Sequence, residues 1–304
     1  MGIDALIDGV RAKQNPMAVG LDPYPESLPE PLMRDAIETH GETPAAAAAA
    51  VLRYNKELLD ALHDIVPAVI PQLACYERLG PEGLAAMRDT IQYARSLGLY
   101  VIADAKRGDA GDAAACYSAA YLGRVRVGNA EFTPFDADAL TVSPYIGSDG
   151  VTPFLEDIRT YDRALFIAGL TPNRSSRELQ QLPAPDRPLY RAVAELTDHW
   201  GRSLVGQYGY SAVGLMLGTA QPRELLDLRR YLPRTFFLIT GCGAQGVTAW
   251  DCARAFDDLG RGAVIHASRR ILCAWRKSGG NFADAARNEA LRMREELRKC
   301  IVCN

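Results

Sequence analysis

Short apolar runs rich in β-branched residues alternate along this chain with longer stretches whose apolar positions recur at helical spacing. The first pattern predicts buried strands and the second amphipathic helices. Strands are expected at residues 17–21, 68–74, 99–103, 139–143, 164–168, 212–217, 235–239 and 262–267. Helices are expected at 3–13, 44–63, 82–96 (with Gly98 as the stop), 110–121, 149–159, 189–205, 223–231, 249–259 and 282–299. Pro71 falls inside the second strand run, where a proline predicts a bulge or an early end. A polar, proline-bearing link covers 174–188. Strands and helices alternate with no break in composition. That argues a single α/β domain over residues 1–304, a (β/α)8 TIM barrel with a short N-terminal helix, and leaves an open doubly wound sheet as the other topology.

Composition narrows the partners more than the fold. Of 304 residues 48% are apolar, enough for a sizeable core without metals or disulfides, and the net charge of −3 gives no reason to expect nucleic acid or an anionic membrane. No apolar run reaches the length of a membrane span, and residues 1–13 mix Asp and Arg in a way no signal peptide does. Seven cysteines, an odd number at scattered spacing, fit reduced thiols in a cytoplasm, and Cys300-x-x-Cys303 reads as two tail thiols with no partner motif. His40, His63, His199 and His266 form no ligand spacing, so no metal is called for. His266, at the end of a strand run, reads as a satisfied strand-end histidine before it reads as a site residue.

The chemistry concentrates where the third strand stops. Asp104-Ala105-Lys106-Arg107-Gly108-Asp109 begins as the apolar run ends. Residues two apart on an extended chain share a face, so Asp104 and Lys106 should project together, with Asp109 following after a turn at Gly108. Each acid favours the lysine's charge and the lysine favours theirs. A surface salt-bridge cluster is the plainer alternative. In a barrel, however, all strand C-terminal ends share the rim that carries active sites. Asp22 would stand there after strand one. The Gly241–Gly246 loop after strand seven, with Gln245, would offer N–H donors, and Ser268-Arg269 after strand eight would grip a phosphate. A lysine fixed beside carboxylates can stabilise a forming carbanion and then protonate it. The residues alone thus point to an enzyme acting on a phosphorylated small molecule. No metal cluster, nucleophile elbow or dinucleotide fingerprint competes.

The stretch Asp104-x-Lys106-x-x-Asp109 resembles the signature of the orotidine 5'-phosphate decarboxylase family. Asn55-Lys56, Pro71-Gln72, Ser143-Pro-Tyr-x-Gly147, Gly241-x-Gly-Ala-Gln-Gly246 and Ser268-Arg269 extend the likeness over nearly the whole chain, closest to the longer bacterial subfamily. The resemblance implies metal-free and cofactor-free decarboxylation of a pyrimidine nucleotide, OMP to UMP, the last step of UMP synthesis. Asp104 would press on the substrate carboxylate and Lys106 would protonate C6. Asp109 would enter the neighbouring subunit's site across a homodimer interface. Asp22 would bind ribose, and Gln245 and Arg269 the phosphate. Five positions depart from the pattern. Ile70 stands where the family has a ribose-binding lysine, and Pro172 where it has a base-reading serine. Ala110 and Ala113 replace an Ile and a Thr, and Thr240 replaces the proline before the Gly-rich loop. The substrate-contacting set at issue is therefore Asp22, Ile70, Ala113, Pro172, Gln245, Ser268 and Arg269. Two further readings follow: a divergent relative acting on a different phosphorylated nucleotide, or a nucleotide-binding protein with little catalysis.

Overall fold

In the computed structural model, which describes residues 1–219, 222–242 and 247–302, the chain closes a parallel barrel. Its strands are β1 (Met17–Leu21), β2 (Ala68–Pro71), β3 (Tyr100–Arg107), β4 (Ala139–Val142), β5 (Ala164–Leu170), β6 (Ser211–Gly218), β7 (Thr235–Thr240) and β8 (Ala263–Ala267). Each pairs with its neighbours in sequence, and β8 returns to β1 through Met17↔Ile265 and Ala18↔His266. The open doubly wound sheet is thereby excluded.

Alternation along the strands sorts side chains into two apolar layers. One set, including Ala18, Ile70, Tyr100, Ile102, Phe166, Met216, Phe236 and Val264, fills the barrel, and Ile3, Leu6 and Ile7 of the leading helix α1 (Ile3–Lys13) join it. The other set, including Val19, Leu21, Val69, Val101 and Ile265, faces the surrounding helices. The period of two is the reason: on a strand buried on both sides, every residue is apolar but consecutive ones serve different layers.

The helices around the barrel are α2 (Glu30–His40), α3 (Pro44–Leu62), α4 (Leu73–Glu77), α5 (Gly80–Ser96), α6 (Gly111–Tyr121), α7 (Thr152–Tyr161), α8 (Leu189–Gly201), α9 (Pro222–Tyr231), α10 (Ala249–Ala253), α11 (Arg269–Leu272), α12 (Trp275–Ser278) and α13 (Phe282–Val302). Several boundaries differ from expectation. β2 ends at Pro71, one further bridge joins Gln72 to Asp104, and α4 starts at Leu73. The helix expected at 189–205 stops at Gly201, and that at 249–259 stops at Ala253. The helix expected at 149–159 is a 3-10 turn followed by α7. The 174–188 link is not featureless but holds a 3-10 turn (Arg174–Glu178) and a two-residue hairpin pair. Helix α2 and a short exposed hairpin, Val125–Val127 with Ala130–Phe132, were not expected. No described helix is long and apolar enough to cross a membrane.

Candidate active site

The inward-facing row of β3 runs from Tyr100 through Ile102 to Asp104, so the carboxylate emerges at the barrel mouth just above the apolar fill. Its side chain is only 6% exposed, yet both oxygens are satisfied. Lys106 Nζ donates to Oδ1 and Oδ2 at 2.7 Å each, Thr141 Oγ1 to Oδ1 at 2.7 Å, and Gln72 Nε2 to Oδ2 at 2.7 Å. A carboxylate with this many donors cannot swing, and its charge stays where the strand placed it.

Asp104 and Lys106 do meet, though not through regular alternation. The β3–β4 register shifts between Ala103 and Arg107, and Lys106 adopts φ 45°, a left-handed conformation unusual for a residue with a Cβ. Thr141 holds this geometry: its hydroxyl oxygen accepts from the Lys106 backbone N–H at 2.9 Å while the hydroxyl donates to Asp104. Strain of this kind persists where neighbouring contacts fix it. The result is an ammonium 44% exposed at the mouth, tied to a buried acid.

Asp109 follows on the exposed rim. Its Oδ1 accepts from the Ala110 N–H at 2.8 Å, and among the described residues it bonds neither Asp104 nor Lys106. The turn before it passes close to β4: a Cβ on Gly108 would lie 3.1 Å from that of Ser143. Ala113 is exposed on the first turn of α6.

Across the mouth, Ser268 Oγ donates to Asp22 Oδ2 at 2.6 Å and joins the loops after β8 and β1. Arg269 is exposed beside it, and its guanidinium has no hydrogen bond or ion pair among the described residues. Gln245 lies outside the described residues. The loop entering that region leaves β7 at Gly241 with φ 92°. Pro172, after β5, is half-buried against bare backbone: a Cβ on Gly218 would fall 2.5 Å from its nitrogen. Ile70 is wholly buried in the barrel fill, register partner of Gly20.

The structure thus gathers Asp104 with Lys106, and Asp22 with Ser268, while Asp109 and Ala113 stand on the rim and Ile70 lies beneath. Sequence reasoning missed Gln72 and Thr141. Both continue inward-facing rows (Ala68, Ile70, Gln72 and Ala139, Thr141), so counting by twos along β2 and β4 would have found them. It also misjudged His266. The ring is not a satisfied strand-end histidine, because its buried Nε2 has no hydrogen-bond partner among the described residues, and neither does Asp22 Oδ1. The cysteines are less scattered than they read. The Cys252 thiol, hydrogen-bonded to Cys242, holds Cys242 below the usual thiol value against the upward push of burial. Cys303 lies outside the described residues. No cluster of three or more His, Cys, Asp or Glu able to hold a metal occurs among the described residues.

Comparison with known proteins agrees with this geometry. The family model described as "Orotidine 5'-phosphate decarboxylase / HUMPS family" matches residues 18–273. An orotidine 5'-phosphate decarboxylase of Rhodopirellula baltica is 37% identical over 287 residues, covering 92% of this chain and 93% of that protein. One from Caldicellulosiruptor saccharolyticus is 32% identical over 273 residues, covering 90% of each. The solved structure of Leishmania donovani OMP decarboxylase superposes with a TM-score of 0.71 at 29% identity, covering 98% of this chain and 99% of that one. With barrel, charge pair and rim arginine in place, the chain belongs to the orotidine 5'-phosphate decarboxylase / HUMPS family.

Proposed function

We propose that this protein decarboxylates orotidine 5'-phosphate to UMP, with Lys106 as the proton donor. The observation that carries the reading is the Asp104–Lys106 pair: a nearly buried acid held by three side chains, and beside it an ammonium that still faces the mouth. A substrate whose phosphate meets Arg269 and the loop after β7, and whose sugar meets Asp22, extends its base toward β3. Asp104 then puts fixed negative charge against the substrate carboxylate and raises the energy of the bound ground state. The C6–carboxylate bond breaks, CO2 leaves, and the electron pair stays on C6. Lys106 Nζ stabilises that carbanion and gives it a proton, forming the C6–H bond of UMP. Being half exposed, Lys106 regains its proton from water. No step requires a metal or an organic cofactor.

The same reading includes a homodimer in which Asp109 completes the partner's site. Asp109 is exposed and bonds neither member of the pair in its own subunit. Tyr145 and Ile146, both exposed, stand near it, since the Asp109 carbonyl and Ile146 Cβ each approach the Cβ position of Gly150 to 3.0 Å. Exposed apolar side chains beside a charge without an ion partner are what a subunit interface covers.

Loss of orotidine absorbance with purified protein, set against Lys106→Ala, tests the reaction: turnover that survives the substitution overturns the role of Lys106. Wholly apolar Ile70 and Pro172, which lacks an N–H, favour a second reading, a relative with altered base or sugar preference. In that case OMP turns over slowly, phosphate-bearing ligands bind while UMP binds poorly, and Ile70→Lys with Pro172→Ser raises OMP turnover. Binding of UMP with no turnover would leave a nucleotide-binding protein.

A further inference from the structure

Strand β1 carries glycine at the inward position beside Ile70 of β2 and the His266 ring of β8. Gly20 is the register partner of Ile70 on β2, and Ala18, two residues earlier on the same face, is the partner of His266 on β8. A Cβ on Gly20 would lie 2.1 Å from His266 Nε2 and 2.7 Å from Ser268 Cβ. The imidazole therefore occupies the space a β1 side chain would take, with Ser268 against the same point. Ser268 Oγ donates to Asp22 Oδ2. Imidazole, hydroxyl and carboxylate form one cluster around a bare strand.

Two atoms of this cluster are buried without a partner among the described residues, His266 Nε2 and Asp22 Oδ1. Buried polar atoms are nearly always paired, and two unpaired ones joined through Ser268 in one cluster mark a place where a group brought in from outside would find partners. The carboxylate oxygen can only accept, whereas the imidazole nitrogen donates or accepts according to its tautomer. Ile70, on the other side of Gly20, contributes no polar atom. A hydroxyl can donate to the carboxylate oxygen and can donate to or accept from the imidazole, so a polyhydroxyl ligand has the chemistry for both atoms. A phosphate does not, since it offers Asp22 only further negative charge.

We infer that His266 is a substrate-binding residue: its Nε2 and Asp22 Oδ1 take vicinal hydroxyls of a sugar phosphate, and His266 supplies from β8 the polar contact that Ile70 cannot supply from β2. This rests on the nucleotide reading for the identity of the substrate but not for the sugar itself. The glycine at position 20 is part of the device, because only a residue without a Cβ lets the ring lie there.

The probes are ribose 5-phosphate, UMP and inorganic phosphate, titrated calorimetrically against wild type, His266→Ala, His266→Gln and Gly20→Ala, with thermal melts to show that each variant folds. His266→Ala is expected to weaken ribose 5-phosphate and UMP each about tenfold, the loss of one buried hydrogen bond, while inorganic phosphate stays within about twofold. His266→Gln recovers most of that loss. Gly20→Ala, which expels the ring, reproduces the alanine variant. The penalty disappears for whichever of 2'-deoxy-UMP and 3'-deoxy-UMP lacks the bonded hydroxyl. Unchanged ribose 5-phosphate affinity in His266→Ala overturns the inference, and so does a parallel loss of inorganic phosphate, which would mark His266 as structural. Should wild type bind ribose 5-phosphate through His266 yet ignore UMP and OMP, the sugar pocket stands and the decarboxylase reading falls. Should OMP turn over while His266→Ala leaves every sugar ligand alone, the reverse holds.

Discussion

Two aspartates, one near each end of the barrel, are buried with cations, and their surroundings differ in a way that separates chemistry from support. Asp138, just before β4, is wholly buried. Its Oδ1 accepts from Arg163 Nη1 at 3.1 Å, from Arg95 Nη1 and from the Met1 amino group at 2.9 Å, and its Oδ2 from the Val101 N–H at 2.9 Å. Asp136 pairs with the same two arginines. At the other end Asp104 has one cation, and that cation is half exposed. An ammonium carries three N–H groups, and Lys106 spends two on one carboxylate, which leaves a donor for a ligand. Around Asp136 and Asp138 the charged groups are consumed by one another. At the strands' C-terminal end the Lys106 ammonium is held ready, and so is the Arg269 guanidinium, which has no ion pair among the described residues. That is the division of labour expected of this barrel, with stability below and catalysis above.

The comparison breaks if the two ends respond alike to mutation. Lys106→Ala should lower kcat/KM for OMP by at least about 10³-fold, within the range for a positioned acid–base group, with a smaller change in melting temperature than Asp138→Ala because Gln72 and Thr141 still donate to Asp104. Steady-state kinetics and a thermal melt on one preparation decide it. Asp138→Ala should do the opposite. It leaves Arg163 and Arg95 with one carboxylate between them, and removing one partner from a buried ion cluster costs about 3–5 kcal/mol. Denaturant unfolding should show that loss, while kcat of the folded fraction stays near wild type.

These two ends were unequally legible in the sequence. Asp104 and Lys106 could be read because charge begins abruptly where an apolar run stops, a local pattern that needs no tertiary information. Asp138 could not, because its partners Arg95 and Arg163 are far along the chain and each looks like an ordinary surface arginine. The eight barrel strands were legible from runs of apolar residues. The early stops of α8 and α10 were not, since no proline follows either end and the 189–205 run ends on residues that pack against β6 instead: Ala212 N–H donates to the Leu204 carbonyl. His266 was misread for the same reason as Asp138. Its meaning depends on Gly20, a glycine on another strand.

A sharper test lies within the upper end. Thr141→Val keeps the shape of the side chain but removes the donor to Asp104 and the acceptor for the Lys106 N–H. The part-buried amide at a left-handed residue then lacks its partner, worth about 1 kcal/mol. If Lys106 depends on that support, kcat should fall about ten- to a hundredfold with KM for OMP little changed, because the loss falls on positioning at the moment of proton transfer. A drop in stability alone, with kcat intact, would return Thr141 to the supporting class.

The smallest expected effect concerns the outer wall. Arg270, next to the rim residue Arg269, is bonded to Glu289 at 2.5 Å and to Glu296 at 2.8 Å, which ties α11 to α13. Burial pushes the Glu289 carboxyl up, but its bonds from Arg292 and Arg270 outweigh that and hold it below the ordinary value of 4.5. A carboxylate with a lowered folded-state pKa gives stability that is present above its unfolded value and is lost as pH falls through the folded one. The brace should therefore act fully at pH 7 and fade below about pH 4.5. Much of it is solvent-exposed, so its worth is under about 1 kcal/mol. Glu289→Gln should lower the melting temperature by about 1–3 °C at pH 7 and by nothing measurable once wild-type Glu289 is itself protonated. Because Arg270 adjoins Arg269, inorganic phosphate binding is the second readout. A loss of more than about sixfold, larger than the ~1 kcal/mol an exposed ion pair can give, would show that this wall positions the phosphate grip and belongs with the upper end. Unchanged binding would leave it, like Asp138, a matter of support.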